Sequence, residues 1–272
     1  PSDAVTDGEI NDLEAVAAAI RENLQKTGLK NKKIIFTIAS TRIATREVIL
    51  PPVRDNKIKA LIEANASDYF PVDMSNYQIA YTLQERKMSG QDAGCRVLVM
   101  AAPITILEGY FSLATLLGCQ IQALDYAGNS QYRLLNTLPS DGVTMYVDID
   151  SSLSITTVMR KNRMLMQRMF ASGIDDYTYA YMSAAGKEAE DYLASVKELS
   201  SEYFMPDYGQ TFPTSELSEN LSRLVGNITR IADYFNSANW ETPIEKLVLI
   251  GIGAPVVGLK NEVAESTGLP VS

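Results

Sequence analysis

The second half of the chain contains the segment Val147-Asp148-Ile149-Asp150-Ser151-Ser152-Leu153-Ser154-Ile155-Thr156, in which an aspartate ends one strand and a small polar turn leads into the next. In a phosphate-binding hairpin, the amides and hydroxyls of such a turn surround the phosphates, while the aspartate holds a metal-bound water. A plain surface hairpin has the same pattern. The segment therefore predicts a hairpin and leaves both interpretations open.

A glycine-rich turn follows about a hundred residues later, in Leu247-Val248-Leu249-Ile250-Gly251-Ile252-Gly253-Ala254-Pro255-Val256-Val257-Gly258-Leu259. The pattern is a buried strand, a turn in which glycine allows close approach to a ligand, and a helix whose N-terminus favours an anion. It lacks the GxGxxG spacing, so a Rossmann dinucleotide site is not indicated. The hairpin pattern followed by this glycine-rich turn is more specific than either pattern alone.

The composition is that of a folded globular protein: 272 residues, of which 46% are hydrophobic and 21% charged. The length predicts one large domain or two lobes. The net charge of −9 argues against nucleic acid or anionic lipid as a partner. No run approaches the ~20 apolar residues that span a bilayer.

The chain has no histidine, which excludes Ser-His-Asp triads, Cys-His dyads and histidine zinc sites. Cys95 and Cys119 form no CxxC motif, so we expect two reduced core residues and a reducing cytoplasm. The chain begins at Pro1 without a methionine or a signal segment, and we expect further residues upstream.

The first half reads as alternating helices and strands. Apolar spacing over residues 13–24 predicts a helix that ends at Gly28, and residues 34–39 predict a strand covered on both faces. Residues 56–69 predict one helix, and Asp125 is interpreted as a cap at a strand end. The pattern between residues 40 and 125 predicts a compact α/β unit.

In the second half, Pro139-Ser140-Asp141-Gly142 predicts the boundary between the halves. Three short strands joined by tight turns follow, over residues 144–149, 153–160 and 163–170. Helices are predicted at 175–182, 187–197 and 215–235, a strand at 244–250 and a last helix at 258–267.

The order of hairpin, long helix, strand and glycine turn resembles the second half of the actin-like ATPase fold. The first half resembles the type IV pilus assembly protein PilM family, which is similar to the bacterial division protein FtsA. This resemblance runs from about Asp7 to Ser272. It rests on Phe36-Thr37-Ile38-Ala39-Ser40-Thr41-Arg42-Ile43-Ala44-Thr45-Arg46-Glu47-Val48-Ile49-Leu50-Pro51, Ile62-Glu63-Ala64-Asn65-Ala66-Ser67-Asp68-Tyr69-Phe70-Pro71-Val72 and Val97-Leu98-Val99-Met100-Ala101-Ala102-Pro103.

The resemblance implies an α/β protein of the actin-like ATPase fold, with two lobes around a nucleotide cleft and an FtsA-type inserted small subdomain. It assigns residues 1–39 and 126–139 to the core of the first lobe, 40–125 to the inserted α/β subdomain and 140–272 to the second lobe. The family's first phosphate hairpin is expected before Pro1, outside this sequence.

The resemblance also implies ATP and Mg²⁺ as cofactors. The nucleotide-binding residues that it indicates are Asp148, Asp150, Ser151, Ser152, Ser154, Glu190, Gly251, Gly253 and Ala254, with Asp148 also holding the metal through a water.

Two of these residues and two positions near them depart from the family pattern. Asp150 replaces the usual glycine, where its carboxylate repels a phosphate unless a metal intervenes, and Ser154 replaces a threonine. Glu190 is kept, but Leu193 stands where the family has a lysine, and Gly251-Ile252-Gly253-Ala254 replaces Gly-Gly-Gly-Ala. We expect weak or degenerate ATP binding.

The function implied by the resemblance is that of a cytoplasmic adaptor in type IV pilus biogenesis. It binds the cytosolic N-terminal peptide of an inner-membrane PilN-like protein, and the peptide lies along the inserted subdomain and its neighbour, in a groove whose residues the sequence does not assign. Contact with the plasma membrane is then made only through partners, nucleic acid is not a partner, and self-association stays open.

Enzymatic activity is at most that of a slow ATPase. The alternative function is a nucleotide-dependent, filament-forming ATPase related to FtsA. A sugar kinase is a third candidate, although the sequence shows no counterpart of its sugar-side catalytic aspartate. Fold alone does not decide between these functions.

Overall fold

The computed structural model describes residues 3–29, 33–90, 93–138, 141–201 and 214–272. The chain divides into two compact units, Pro1–Arg133 and Leu134–Ser272, called here the N-terminal and C-terminal units. Each unit has its own strands and helices. The finer division into 1–39 with 126–139, 40–125 and 140–272 stays a prediction, and Pro139 and Ser140 of the predicted boundary lie outside the described residues.

The N-terminal unit contains seven strands and five helices among its described residues. In chain order these are β1 Val5–Thr6, β2 Glu9–Ile10, α1 Leu13–Thr27, β3 Lys33–Ile38, β4 Ala44–Leu50, α2 Asp55–Ala64, α3 Ala66–Tyr69, β5 Tyr77–Lys87, β6 Gly94–Pro103, α4 Ile104–Leu117, β7 Gln120–Tyr126 and α5 Ala127–Leu135, in which the unit ends.

The strands of this unit form three small sheets. β1 and β2 make a short antiparallel hairpin, β3 and β7 pair in parallel, and β4, β6 and β5 form an antiparallel sheet with β6 in the centre. One face of that sheet packs against Ile58 and Ile62 of α2, in a core that includes Val97 and Val99 of β6. The side chains at alternate positions of β6 point to the opposite face.

Helix α1 forms where the apolar spacing predicts it. The Asp12 carboxylate accepts a hydrogen bond from the backbone N–H of Ala15, which caps the first turn. Gly28 ends the helix in the left-handed conformation, with a φ of 67°. The predicted helix and its glycine C-terminus are confirmed.

Two predictions in this unit are wrong. Strand β3 alternates between exposed and partly buried residues, and Ile35 is 60% exposed, so the strand is not covered on both faces by described residues. Residues 56–69 are not one helix, because Asn65 interrupts it. The backbone N–H of Asn65 donates to the carbonyl of Ile62, three residues back, and its side chain donates to the carbonyl of Leu61.

The cysteine prediction is correct for one residue. Cys95 and Cys119 are both free, and Cys95 is buried in the core of the three-stranded sheet. Cys119 follows the end of α4 and is only partly buried, so it is not a core residue.

The C-terminal unit contains four strands and four helices among its described residues. In chain order these are β8 Val143–Ile149, β9 Ser154–Arg160, β10 Arg163–Phe170, α6 Asp175–Ala184, α7 Tyr192–Leu199, α8 Thr214–Ala238, β11 Lys246–Ile250 and α9 Leu259–Thr267.

Its sheet has the order β10-β9-β8-β11, with two antiparallel hairpins and a parallel pairing of β11 with β8. The three predicted strands and the long helix are confirmed in position. The predicted helix over residues 187–197 is wrong at its start, where a 3-10 turn, Ala189–Asp191, precedes α7. The buried residues of β8 share one core with residues of α6, α7 and α8, including Tyr181, Leu199 and Ile228.

Candidate functional site

The turn between β8 and β9, residues 150–153, is called here the hairpin turn. The Asp150 backbone N–H donates to the Leu153 carbonyl at 3.1 Å and closes the turn, in the register that pairs Ile149 with Ser154. Asp150 and Ser152 are exposed, and Ser151 is partly buried. The two serine hydroxyls are therefore placed where a ligand from solvent could meet them.

The segment after β10 holds the hairpin turn in place. The backbone N–H groups of Ile174 and Asp175 donate to the carbonyls of Asp150 and Ser151, at 3.0 and 2.8 Å. Gly173 permits this approach, because a Cβ there would lie 2.2 Å from the Asp150 carbonyl oxygen. The turn is consequently a fixed feature that is tied to the start of α6.

The parallel pairing of β11 with β8 places residues 251–258, called here the glycine turn, beside the end of β8. Ile250 is the register partner of Asp148, and the Gly253 N–H donates to the Ile149 carbonyl at 3.0 Å. Gly251 has a φ of 89°, and a Cβ there would lie 2.4 Å from Oδ1 of Asp148. The structure thus brings together the two segments that the sequence analysis combined.

The Asp150 carboxylate is the main obstacle to a phosphate at the hairpin turn. Its Oδ1 accepts a hydrogen bond of 2.8 Å from the backbone N–H of Ser151. A phosphate cradle needs outward-facing amides of this kind, and here an internal anion already occupies one of them. The Asp150 carboxylate therefore opposes a phosphate at this turn, and weak ATP binding stays a prediction.

Two further ionisable groups lie next to the hairpin turn, and both have raised pKa values, which favour their neutral forms. Burial raises the pKa of the Asp175 carboxyl, the Asp176 and Asp150 carboxylates add to the rise, and a hydrogen bond from the Tyr192 hydroxyl opposes it. Burial and the bond to Asp175 raise the pKa of the Tyr192 phenol, which also interacts with Ser151. Tyr192 thereby connects α7 with the hairpin turn.

The remaining predicted residues differ in how they relate to the turn. Ser154 is fully buried, and its hydroxyl donates to the Ser172 carbonyl at 2.7 Å, so this hydroxyl is already used inside the protein. Glu190 is exposed on the 3-10 turn, and Ala254 is partly buried in the glycine turn. Within the described residues, no hydrogen bond or ion pair joins Glu190 to the hairpin turn, and no group of three Asp, Glu or Cys side chains could hold a metal ion.

A second candidate site lies in the N-terminal unit, where the open face of the β4-β6-β5 sheet meets α4. We call it the α4 groove; its cavity volume is about 470 Å³. Its floor is built from cross-strand pairs, Ala102 with Gln78 and Met100 with Ala80. Its wall is one face of α4, with spacings of three and four residues: Ile104, Leu107, Glu108 and Phe111.

The far end of the α4 groove is formed by β3, β7 and the residue Ile43. Ile38 and Tyr126 are register partners there, and Asp125 lies beside them. Both Asp125 oxygens are used: they accept from the Tyr126 N–H and from the side chains of Asn129 and Ser130, at 2.8–2.9 Å. Asp125 thus ties the end of β7 to two side chains in the first turn of α5, and its role as a helix cap stays a prediction.

Phe111 is the most informative residue of the α4 groove, because it is a large aromatic side chain that is 54% exposed. The sequence analysis did not assign any groove residue. A signal was present in residues 104–111, where apolar residues and one glutamate share a helix face directly after an apolar strand. That signal does not say which face of the strand and helix stays uncovered.

Among the residues that the structure describes, no helix is long and apolar enough to cross a membrane. The longest helix, α8, has 25 residues and is amphipathic, with Leu224 and Ile228 buried and Arg223 and Arg230 exposed.

Comparison with solved structures relates this architecture to known proteins. A chain of a PilM-PilN type IV pilus biogenesis complex matches with a TM-score of 0.77 and 17% identity, over 100% of this chain and 77% of that chain. The ethanolamine utilization protein EutJ from Carboxydothermus hydrogenoformans matches with a TM-score of 0.50 and 13% identity, over 99% and 72%. MreB5 of Spiroplasma citri bound to ADP matches with a TM-score of only 0.47 and 10% identity, over 98% and 72%.

At these identities the likeness shows the fold, which is that of the actin-like ATPases, so the predicted α/β class and actin-like fold are confirmed. The family follows from the sequence profile of the type IV pilus assembly protein PilM, which matches residues 1–272. The chain belongs to the type IV pilus assembly protein PilM family, and the predicted resemblance is confirmed.

Proposed function

We propose that this chain is an adaptor of type IV pilus assembly that binds the cytosolic N-terminal segment of a PilN-like inner-membrane protein in the α4 groove. Family membership supports the pilus role, and the similar solved structure is a complex of PilM with PilN. The observation that carries the proposal is the open apolar groove with Phe111 exposed on its wall. Exposed aromatic residues beside an apolar floor are typical anchors of peptide recognition.

The proposal also places the chain in the cytoplasm, on the inner face of the plasma membrane, where the partner recruits it. The membrane contact is then the partner's. Such an adaptor needs no catalytic residue, and the proposal assigns none.

The same proposal includes weak or degenerate ATP binding at the hairpin turn. Asp148, the Ser151 and Ser152 hydroxyls and the glycine turn are the groups that would meet a nucleotide, and Asp148 would hold Mg²⁺ through a water. Mg²⁺ bound there would supply positive charge that offsets the Asp150 carboxylate. The bond from the Ser151 N–H to Asp150 supports weak binding.

The test is a calorimetric titration of the whole chain with a synthetic peptide of the cognate PilN-like N-terminal segment, with and without magnesium ATP. We expect micromolar binding that nucleotide does not change, equivalent to roughly −8 kcal/mol. Replacing the groove aromatic (Phe111→Ala) should weaken binding at least about tenfold, because buried aromatic anchors dominate such interfaces.

The matched control is Trp240→Ala, which removes another exposed aromatic side chain, in the C-terminal unit; Trp240 is 77% exposed. This variant should bind the peptide as the unchanged chain does. Absence of binding in both nucleotide conditions would contradict the adaptor function and favour the alternative, nucleotide-dependent filament assembly.

A further inference from the structure

The α4 groove has an unbalanced charge. Its described lining residues include two carboxylates, Glu108 and Asp125, and no lysine or arginine. The Asp125 oxygens already accept three hydrogen bonds, one from the Tyr126 N–H at the end of β7 and two from side chains of α5. Glu108 is exposed on the wall, and within the described part of the chain no cation pairs with its carboxylate.

The negative charge of Glu108 lies next to the apolar residues of the groove wall. Glu108 precedes Phe111 by three residues on α4, so the two side chains are neighbours on the helix face that lines the groove. A lysine or arginine bound there would meet a carboxylate and an aromatic ring together, which adds a cation–π contact to an ion pair. Neighbouring Leu107 and Ile104 provide apolar surface for the adjacent side chains of the same ligand.

The proposed partner supplies such a cation. Cytoplasmic segments that flank a membrane span carry an excess of lysine and arginine. The net charge of −9 on this chain also favours the approach of a cationic segment over an anionic one.

We propose that the α4 groove selects a partner segment in which a lysine or arginine lies next to apolar residues, and that Glu108 is the specificity-determining residue that binds this cation. The inference rests on the proposed docking function and adds the chemistry of the segment that is docked.

The experiment uses the whole chain and two synthetic peptides. One is the cytosolic N-terminal segment of the cognate PilN-like protein, and the other is the same segment with every lysine and arginine replaced by glutamine. We expect the unchanged chain to bind the native peptide roughly fivefold more tightly than the neutral peptide, and the difference to shrink in high salt.

The variant Glu108→Gln should remove this difference, so that it binds the native peptide no more tightly than the neutral peptide. Its control, Glu265→Gln, alters the net charge by the same amount on the exposed face of α9 in the other unit, and should keep the difference.

Equal binding of both peptides, equal behaviour of the two variants, or a native segment without lysine or arginine would overturn the charge selection and leave the docking function standing. Failure of both peptides to bind the unchanged chain would overturn the docking function and the charge selection together.

Discussion

Asp150 shows how a single residue alters what a binding turn can do. Its carboxylate accepts the N–H of Ser151 and lies in the field of Asp175, whose raised pKa reflects burial first and the neighbouring carboxylates second. The turn thereby presents the Asp150 carboxylate, whereas a glycine at this position would leave the Ser151 N–H free for a ligand. We attribute the proposed weak nucleotide affinity to this residue and not to the surrounding fold.

We predict that Asp150→Asn raises the affinity for magnesium ATP about fivefold. Removing one like charge at the turn is worth about 1 kcal/mol at solvent-exposed distances near 4 Å. Asp150→Gly should raise the affinity at least as much, because it also frees the Ser151 N–H. Calorimetric or fluorescent-nucleotide titration of the whole chain measures both effects.

The control for this prediction is Asp141→Asn, which removes the same charge near the opposite end of β8. If the Asp150 and Asp141 variants bind nucleotide with equal affinity, the charge of the hairpin turn does not limit binding.

Gly251 illustrates a second residue whose identity is determined by its surroundings. We predict that Gly251→Ala lowers the free energy of unfolding of the C-terminal unit by about 2 kcal/mol or more, because φ is 89° and a Cβ would lie 2.4 Å from Asp148. Gly226→Ala in α8 is the matched control, since no atom lies within 4 Å of its Cβ position and it should stabilise the helix by about 0.5–1 kcal/mol. Urea denaturation that shows the same sign for both variants would refute the strain argument.

The β1–β2 hairpin contributes to the α4 groove as an element, because its turn is bonded to the segment between β3 and β4. Asp7 accepts from the Thr41 N–H at 2.6 Å and from the Thr41 hydroxyl at 2.7 Å. Ile38 and Ile43, which lie on either side of Thr41 in the chain, line the end of the groove. The hairpin therefore helps to hold Ile38 and Ile43 in place at that end of the groove.

Replacing Asp7 should loosen this attachment. We predict that Asp7→Ala lowers the free energy of unfolding by about 1–2 kcal/mol, because two hydrogen bonds are lost and alanine must adopt the positive φ of 46° that Asp7 has. Peptide affinity should fall with it. Chemical denaturation and peptide titration measure the two effects.

Glu9→Gln provides the comparison in the same hairpin. Glu9 forms an exposed ion pair with Arg42, and its loss should change the free energy of unfolding by less than about 1 kcal/mol. Equal stability of the Asp7 and Glu9 variants would show that the bonds to Thr41 do not hold the hairpin.

The division into two units has a consequence for the whole molecule. The α4 groove lies entirely within the N-terminal unit, and the hairpin turn and glycine turn lie within the C-terminal unit. A peptide that binds only the first unit stabilises that unit by mass action, by about 2.7 kcal/mol at a hundredfold excess over the dissociation constant.

We predict that saturating PilN-like peptide slows amide hydrogen exchange in residues 77–80 and 104–111. Exchange in residues 150–153 and 251–254 should stay unchanged, because those amides belong to the other unit. Hydrogen exchange followed by mass spectrometry measures both regions in one experiment. Protection of the hairpin turn by the peptide would instead show that the two units respond together.

Much of the fold was predictable because its determinants are local. The short strand-forming segments and tight turns of 144–170 predict the β8-β9-β10 meander, and Gly28 with the spacing of α1 predicts that helix and its end. The missing histidines exclude whole classes of catalysis without any structure. The family was also correctly identified, since its segments are contiguous in the chain.

Other features depend on contacts between residues far apart in the chain. The exposure of Ile35 follows from which faces neighbouring elements cover, and no local pattern records that. The pairing of β11 with β8 brings Gly251 to Asp148 across about a hundred residues.

The α4 groove is the clearest case. Strand β6 is apolar on both faces, so its sequence is equally compatible with burial on either side. Packing of α2 against one face and the orientation of α4 beside the other leave Phe111 and Glu108 exposed together. Local sequence therefore specified the elements and the family, whereas long-range packing specified the surface that a partner can use, because burial is a property of the assembled unit and not of any one segment.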